Sequence, residues 1–561
     1  MRKLRSNYAI GSPHWAVRRA QWRALGLTDE DMAKPKIAVI NSSSELAICF
    51  SHLDGVASVV KDAIRAAGGL PIEIRTTAPS DFIVSPGGKG AYILSSRDLI
   101  VNDIEAQVEG AQLDGMIALT SCDKTPPAHV MAAGRLNIPT LLVIGGYQPS
   151  GELNGEHVDI EDVFLSSAGI ASGSVSIDHL RSMSENAVRG PGVCSGMGTA
   201  NSMHIVVEAL GMTLPGAAPV LANSPKMFAD AAAAGHQIVE MVLADRKPRD
   251  ILTHAAFRNA VATLLAVSGS INCIRHLQAI ATESGVDIDI HSLVQELGQK
   301  VPMLVAVRPN GPQSIEALEA AGGANAVMKR IEPLLDTGAL TSSGKSVAEV
   351  LEHTQVPLTE VVRPLDTPFS DQPAIVIVRG TLASESGIIK LGQRDPGRPL
   401  ALRGPARVFE NPIEAMAAIN ADQVSAGTVL VVRGMGLIGG PAMGGAVSTV
   451  VFTLYNKGLA NSVAVVSDGQ LSGLVNKGLV IGEISPESAI GGPLGYVEDG
   501  DIIDIDVLAG RIDLEVTAEV LADRAARNGP PALNPARGYL RQYRDQVQPI
   551  ATGGVLTRGE N

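Results

Sequence analysis

The sequence predicts an α/β protein in two parts: a mostly parallel sheet covered by helices over residues 1–368, and a β-rich part over residues 369–561. Three observations lead there. Short apolar runs alternate with amphipathic segments of helical period through the first two-thirds of the chain, the rhythm of βαβ units. A stretch rich in Pro and Asp, Pro364 to Pro373 (PLDTPFSDQP), then interrupts that rhythm as a linker does. Beyond it, Asp501 to Val516 alternates apolar and polar residues around an Ala509-Gly510 turn, the pattern of a β-hairpin.

Taken in order, Lys36 to Asn41 (KIAVIN) is an apolar run short enough for a buried strand. Leu53 to Gly68 is an amphipathic helix that stops at a Gly pair, and Leu70 to Arg75 is a second strand. Gly115 to Ser121 (GMIALTS) is a third strand, Ala128 to Leu136 a helix, and Pro139 to Gly145 (PTLLVIG) a fourth strand. Residues 200–350 are Ala-rich and helical in pattern. In the second part, Ala374 to Arg379 and Thr428 to Arg433 are short strands of a barrel or of a stack of strands. The tail beyond residue 524 is rich in Arg and Pro and is expected to wrap the body or a partner subunit.

A chain of 561 residues exceeds a single core, which gives two or three domains. Hydrophobic residues at 45% and charged residues at 18% make it globular. A net charge of −13 without clustered basic residues, and only 3% aromatics, exclude a nucleic-acid surface and an anionic membrane surface. The basic start Met1 to Arg5 lacks an apolar segment after it, and no apolar run is long enough to cross a bilayer, so a reducing cytoplasm is the expected compartment. Four cysteines in so long a chain are not a disulfide framework.

Three of those cysteines sit where ligands bind in α/β proteins, in loops beyond strands or before helices. Cys49 lies in the loop after the first strand (NSSSELAICFSHL, Asn41 to Leu53). Cys122 directly follows GMIALTS, and Cys194 lies in Gly190 to Gly198 (GPGVCSGMG), before a helix over Ala200 to Leu210. Three thiolates can hold an iron–sulfur cluster and leave one iron open as a Lewis acid for a hydroxyl. Asp123 and Lys124 follow Cys122 at once. A carboxylate there suits a hard cation such as magnesium, whereas an ammonium repels one unless its charge is removed, as carbamylation does. Lys124 is equally readable as a surface ion-pair partner, and small buried cysteines in turns are common.

Gly434-Met-Gly436-Leu-Ile-Gly439 follows the strand TVLVVR and matches the glycine pattern of dinucleotide sites. Pro441 and further glycines follow where a helix should start, and the next acid, Asp468, is too far on. The glycines are expected to shape a loop near the site instead.

At this point the chain resembles the dihydroxy-acid dehydratase family, which includes sugar-acid (aldonate) and 6-phosphogluconate dehydratases. The anchors are NSSSELAICFSHL, SCDKTPPAHVMAAGRLNIPTLLVIGG, GPGVCSGMGTANSMHIVVEALGMTLPG, VSGSINCIRHLQAIA, VVRGMGLIGGPAMGG, SDGQLSG and GEISPESAIGGPLGYVEDGD, in family order from about residue 35 to 550. The resemblance implies that Cys49, Cys122 and Cys194 hold a 2Fe-2S cluster, with 4Fe-4S as the alternative. It implies that Asp81 and Asp123 bind magnesium (Mg2+) beside a carbamylated Lys124. It also implies that Ser472 takes the C2 proton, that the second part is barrel-like, and that the chain forms homodimers or homotetramers. The expected reaction removes water from a 2,3-dihydroxy carboxylic acid to give a 2-keto acid. Ser121 to Ala128 and Met197 to Ala200 look more like the sugar-acid branch than the branched-chain one.

The chain departs from the family pattern at three places. Gly445 stands where the family has a magnesium-binding glutamate, Gln470 where an arginine is usual, and Phe82 where glycine is common. The loss at Gly445 motivates a second reading, a non-catalytic or redox-responsive cluster protein on the same scaffold. A nicotinamide oxidoreductase is the third, resting on the glycine loop alone. His52, His204, His276 and Cys273 are expected to be packing residues.

Overall fold

The computed structural model describes residues 4–85, 89–171, 173–392, 397–438, 440–442, 445–471, 477–529, 533 and 535–557, with backbone only at 445 and 446. Its strands in chain order are β1 (Lys36–Asn41), β2 (Leu70–Arg75), β3 (Gly115–Thr120), β4 (Thr140–Ile144), β5 (Gly151–Leu153), β6 (Glu156–Val158), β7 (Ile375–Val378) and β8 (Ser386–Lys390). They continue with β9 (Ala401–Phe409), β10 (Val429–Val432), β11 (Ala464–Ser467), β12 (Leu479–Ser485), β13 (Ile502–Asp506) and β14 (Arg511–Leu514).

The first sheet has the order β2-β1-β3-β4 and is parallel throughout. β1, β3 and β4 are buried along their whole length, which is why they read as unbroken apolar runs. The helices Leu53–Ala66 and Pro225–Ala244 pack against each other and against this sheet. A Cβ on Gly235 would lie 2.6 Å from the Ala63 side chain, so glycine there lets the two helices approach closely. The helix Thr125–Leu136 packs against Ala91–Val108 and Asn272–Ser284, and residues 199–352 are mostly helical as expected.

The second sheet has eight strands in the order β14-β13-β9-β10-β11-β12-β8-β7. β9 to β12 run parallel and the outer strands pair antiparallel. Its two edges meet at Arg379 and Arg511, where Arg379 N donates to Gly510 O at 2.9 Å and Ile512 N donates to Arg379 O at 3.0 Å. The sheet is therefore a nearly closed, barrel-like sheet and not a stack of short strands. Alternation places Val429 and Val431 inside it with Val466, Ile481 and Ile503, while Leu430 and Val432 join the core shared with the first sheet. The predicted hairpin is β13–β14, with Asp506 opposite Arg511.

The tail returns to the first part. Tyr539 Oη donates to Ser95 O, and Arg97 Nη2 donates to the carbonyls of Gly553 at 3.1 Å and Gly554 at 2.7 Å. Among the described residues no helix is long and apolar enough to cross a membrane.

Candidate functional site

β1 and β3 are hydrogen-bonded neighbours, with Asn41 opposite Leu119, so the loops at their carboxyl ends open side by side. The first carries Cys49 and the second carries Cys122. Ser121 joins them: its Oγ donates to Cys49 O at 2.6 Å, and its N donates to Thr125 Oγ1 at 2.8 Å. Cys122 has φ of 64°, a left-handed conformation that costs a non-glycine residue roughly 1–2 kcal/mol and is held by those bonds. The neighbouring Cys49 thiol, burial and the negative charges of Asp123 and Asp81 push the Cys122 thiol well up.

Cys194 approaches from the turn before the helix Thr199–Ala209. Asn201 Nδ2 donates to the carbonyls of Cys194 and Gly196, each at 2.8 Å, and Met197 N donates to Arg308 O at 2.6 Å. Burial pushes the Cys194 thiol up, with further contributions from Asp123, Cys49, Asp159 and Asp81. The three predicted cysteines therefore share one electrostatic neighbourhood.

The predicted acids and lysine meet beside them. Asp81 is the first residue of the short helix Asp81–Val84. The Lys124 Nζ is fully buried, 3.0 Å from Asp81 Oδ2 and 3.7 Å from Asp123 Oδ2. Burial pushes the Asp81 carboxyl up to about 7, against the pull of Lys124 and with repulsion from Asp123. Asp81 Oδ1 is buried and has no hydrogen-bond partner among the described residues. Three thiols, two carboxylates with an orphaned oxygen and one buried amine make a donor set that fits a cluster next to a hard cation.

One predicted site residue is not placed. Ser472 lies outside the described residues, as do Met443 and Gly444; Gly445 opens the helix Gly445–Asn456. The loop ahead of Ser472 is placed. Asp468 accepts from Met435 N at 2.8 Å, Ser488 N at 3.0 Å and Gly434 N at 3.3 Å, and Gln470 N donates to Ala442 O at 2.9 Å. The glycine loop is thus wrapped around protein carboxylates. Ile438 N donates to Glu487 at 2.8 Å, and a Cβ on Gly436 would lie 1.7 Å from Glu487 Oε2. Amides that a dinucleotide would need are already engaged by Asp468 and Glu487, which removes the support for a nicotinamide site.

His52 Nε2 bonds Gly145 O at 2.6 Å, and His204, His276 and Cys273 are fully buried. Sequence reasoning passed over Asn201, Glu487, Glu161 and Lys390. Glu161 is pushed up to about 8 and Lys390 down to about 8, each mainly by burial. The lysine that ends the apolar strand SGIIK was the readable signal. His157, Asp159 and Asp162 also cluster, but Asp159 caps the helix Ile160–Ser167 and Arg308 pairs with Asp162 at 2.7 Å, so capping accounts for them.

Comparison with known proteins agrees over almost the whole chain. Residues 34–350 match the profile described as dihydroxy-acid/6-phosphogluconate dehydratase N-terminal, and residues 360–554 match its C-terminal counterpart. A dihydroxy-acid dehydratase of Sulfurisphaera tokodaii is 36% identical over 560 residues, covering 99% of each chain. Those of Caldicellulosiruptor saccharolyticus and Pyrococcus abyssi are each 39% identical, covering 96% of this chain and 98% of theirs.

Proposed function

The chain belongs to the dihydroxy-acid/6-phosphogluconate dehydratase family, and from that premise we propose that it dehydrates a 2,3-dihydroxy carboxylic acid to a 2-keto acid at the site formed by Cys49, Cys122, Cys194, Asp81, Asp123 and Lys124. The observation that carries the proposal is the convergence of three loop cysteines on a carboxylate–lysine pair in which Lys124 is fully buried and Asp81 Oδ1 is orphaned. In this reading the division of labour follows the two sheets, with residues 1–368 holding the cofactors and residues 369–561 supplying the base.

Cys49, Cys122 and Cys194 hold the 2Fe-2S cluster, and Asp81, Asp123 and a carbamylated Lys124 hold magnesium. When bound, these groups supply Lewis acidity to the C3 hydroxyl and to the carboxylate with its C2 hydroxyl. Ser472 removes the C2 proton as an alkoxide. Hydroxide leaves C3 and is protonated to water, and the resulting enol tautomerises to the 2-keto acid. Burial of Lys124 supports carbamylation, because a bare ammonium at that depth competes with the cation for both carboxylates.

Within the substrate class, Ser121 to Ala128 and Met197 to Ala200 support a sugar acid, and the relatives carry the name dihydroxy-acid dehydratase. The decisive experiment is anaerobic purification with iron, sulfide and magnesium quantified, then a keto-acid assay across aldonates and 2,3-dihydroxy-3-methylbutanoate. Keto-acid formation that disappears in Ser472→Ala and Cys122→Ser supports the reading, and the preferred acid fixes the branch. An intact cluster without magnesium or turnover on any acid favours the second reading, a cluster protein that has left this chemistry at Gly445. Homodimers or homotetramers are proposed on the family resemblance and are read by light scattering on the same sample.

A further inference from the structure

We propose that Arg275 is a positioning residue that fixes, through Glu483 and Gln470, the loop leading into Ser472. The consequence for Ser472 rests on the functional reading above; the fixing of the loop does not. Arg275 belongs to the helix Asn272–Ser284, whereas Glu483 lies on β12 and Gln470 in the loop after β11. Arg275 and Glu483 are fully buried and Gln470 is 2% exposed. Arg275 Nη2 stands 3.3 Å from Glu483 Oε1, and Gln470 Nε2 donates to the same oxygen.

Main-chain bonds hold the same loop on two other sides. Gln470 N donates to Ala442 O at 2.9 Å, and Glu483 N donates to Gly469 O at 3.0 Å. Glu483 has φ of 53°, a strained conformation for a glutamate, and this turns its side chain toward the helix and the loop together. At the other end, Asn272 Nδ2 donates to Thr199 Oγ1 at 2.8 Å, and Asn201, two residues on, holds the Cys194 carbonyl. Contacts therefore run from the Cys194 turn through Arg275 to Gln470. Arg275 is the charged link between the cysteine side of the site and the serine side.

A buried ion pair adds little net stability over an apolar pair of the same volume, because both charges lose their water. Its clearest use is to fix one geometry among several. A direct role on substrate is disfavoured by space. Among the described residues, one cavity that Arg275 lines with Asp468 and Glu487 measures about 20 Å³, room for a single water and not for a dihydroxy acid. Arg275 Nε, Nη1 and Nη2 have no hydrogen-bond partner among the described residues, so the ion pair with Glu483 at 3.3 Å is the polar contact that ties the guanidinium to the loop.

The test uses Arg275→Met, Glu483→Gln and the double variant Arg275→Met/Glu483→Met in the holoenzyme. It reads kcat, KM, iron content, melting temperature and amide hydrogen exchange over residues 467–471 and 479–485. The proposal expects Arg275→Met to lower kcat at least tenfold with KM within twofold, and iron content to stay unchanged. Amides in both segments should exchange at least tenfold faster. The double variant should regain the melting temperature while kcat stays low. If Arg275→Met does not fold, Glu483→Gln is read by the same criteria.

Recovery of kcat together with melting temperature in the double variant overturns the proposal, since the pair is then only structural. A raised KM at unchanged kcat overturns it in favour of substrate contact. Unchanged exchange overturns it whatever the activity. If the wild-type protein turns over no acid but exchange still accelerates in Arg275→Met, the functional reading fails and the positioning role stands.

Discussion

Replacing Arg97 by Met should release the carboxyl-terminal tail from the first part of the protein. The Arg97 guanidinium is fully buried, donates to the carbonyls of Gly553 and Gly554, and pairs with the fully buried Asp98 at 3.1 Å. Methionine keeps most of the volume, so the loss is electrostatic. Removing one partner of a buried pair costs about 3–5 kcal/mol. Asp98 limits the loss to about 3 kcal/mol, the lower end of that range, because it can take up a proton. Burial has already pushed its carboxyl from 3.8 up to about 6 against the pull of Arg97, and without Arg97 it moves higher. The sign follows from linkage. A carboxyl whose value is raised on folding favours the folded state below pH 3.8 and loses that contribution as pH rises through its folded value. The gap between variant and wild type should therefore be smaller at pH 5 than at pH 8. The assay is tryptic cleavage at the exposed Arg541, which reports opening of the tail. A 3 kcal/mol loss corresponds to roughly 100-fold faster cleavage at pH 8. Cleavage within threefold of wild type at pH 8, or a gap that widens toward acid, would refute the reasoning.

Three further outcomes are expected. Gly436→Ala drives a methyl group to within 1.7 Å of Glu487 Oε2, so the glycine loop must shift; keto-acid formation should fall on the order of 100-fold at unchanged iron content. Cys194→Ser should lower the iron content of the protein, measured by colorimetric analysis, and bleach its visible absorption, because one of three thiolate ligands is removed; unchanged iron would mean that Cys194 is not a ligand. Gly445→Glu adds a carboxylate at the first residue of the helix Gly445–Asn456, where negative charge is favoured. The magnesium concentration for half-maximal activity should drop roughly tenfold, equivalent to about 1.4 kcal/mol; an unchanged requirement in a magnesium titration would mean that position 445 does not face the metal.

Strands buried on both faces announced themselves, because KIAVIN and GMIALT have no polar alternation to confuse. The helix predicted from Ala128 starts three residues earlier, at Thr125. Pro126 and Pro127 look like breakers but occupy the first turn, where a proline loses no hydrogen bond. The grouping of Cys49 with Cys122 was legible because both follow neighbouring parallel strands. The Arg275–Glu483 pair was not, since its partners are separated by 208 positions and only the topology brings them together. The same holds for the barrel-like sheet, whose edge bridge joins Arg379 to Arg511 through backbone atoms that leave no signature in side chains.

The tail's return to Arg97 also sets a clock on synthesis. The carbonyl of Gly554 lies 457 positions after the guanidinium it receives. At about 5–20 residues added per second, the ribosome needs roughly 25–90 s to supply it. Throughout that interval the helix Ala91–Val108 cannot bury Arg97 in its final surroundings, and the apolar residues beside it, Ile93 and Leu94, lack the tail residues Tyr543, Val547 and Ile550 that later cover them. A nascent chain of this protein therefore emerges with a patch of the helix Ala91–Val108 uncovered until residues 539–554 are made, and it is during elongation that this patch is most exposed to chaperones and to aggregation.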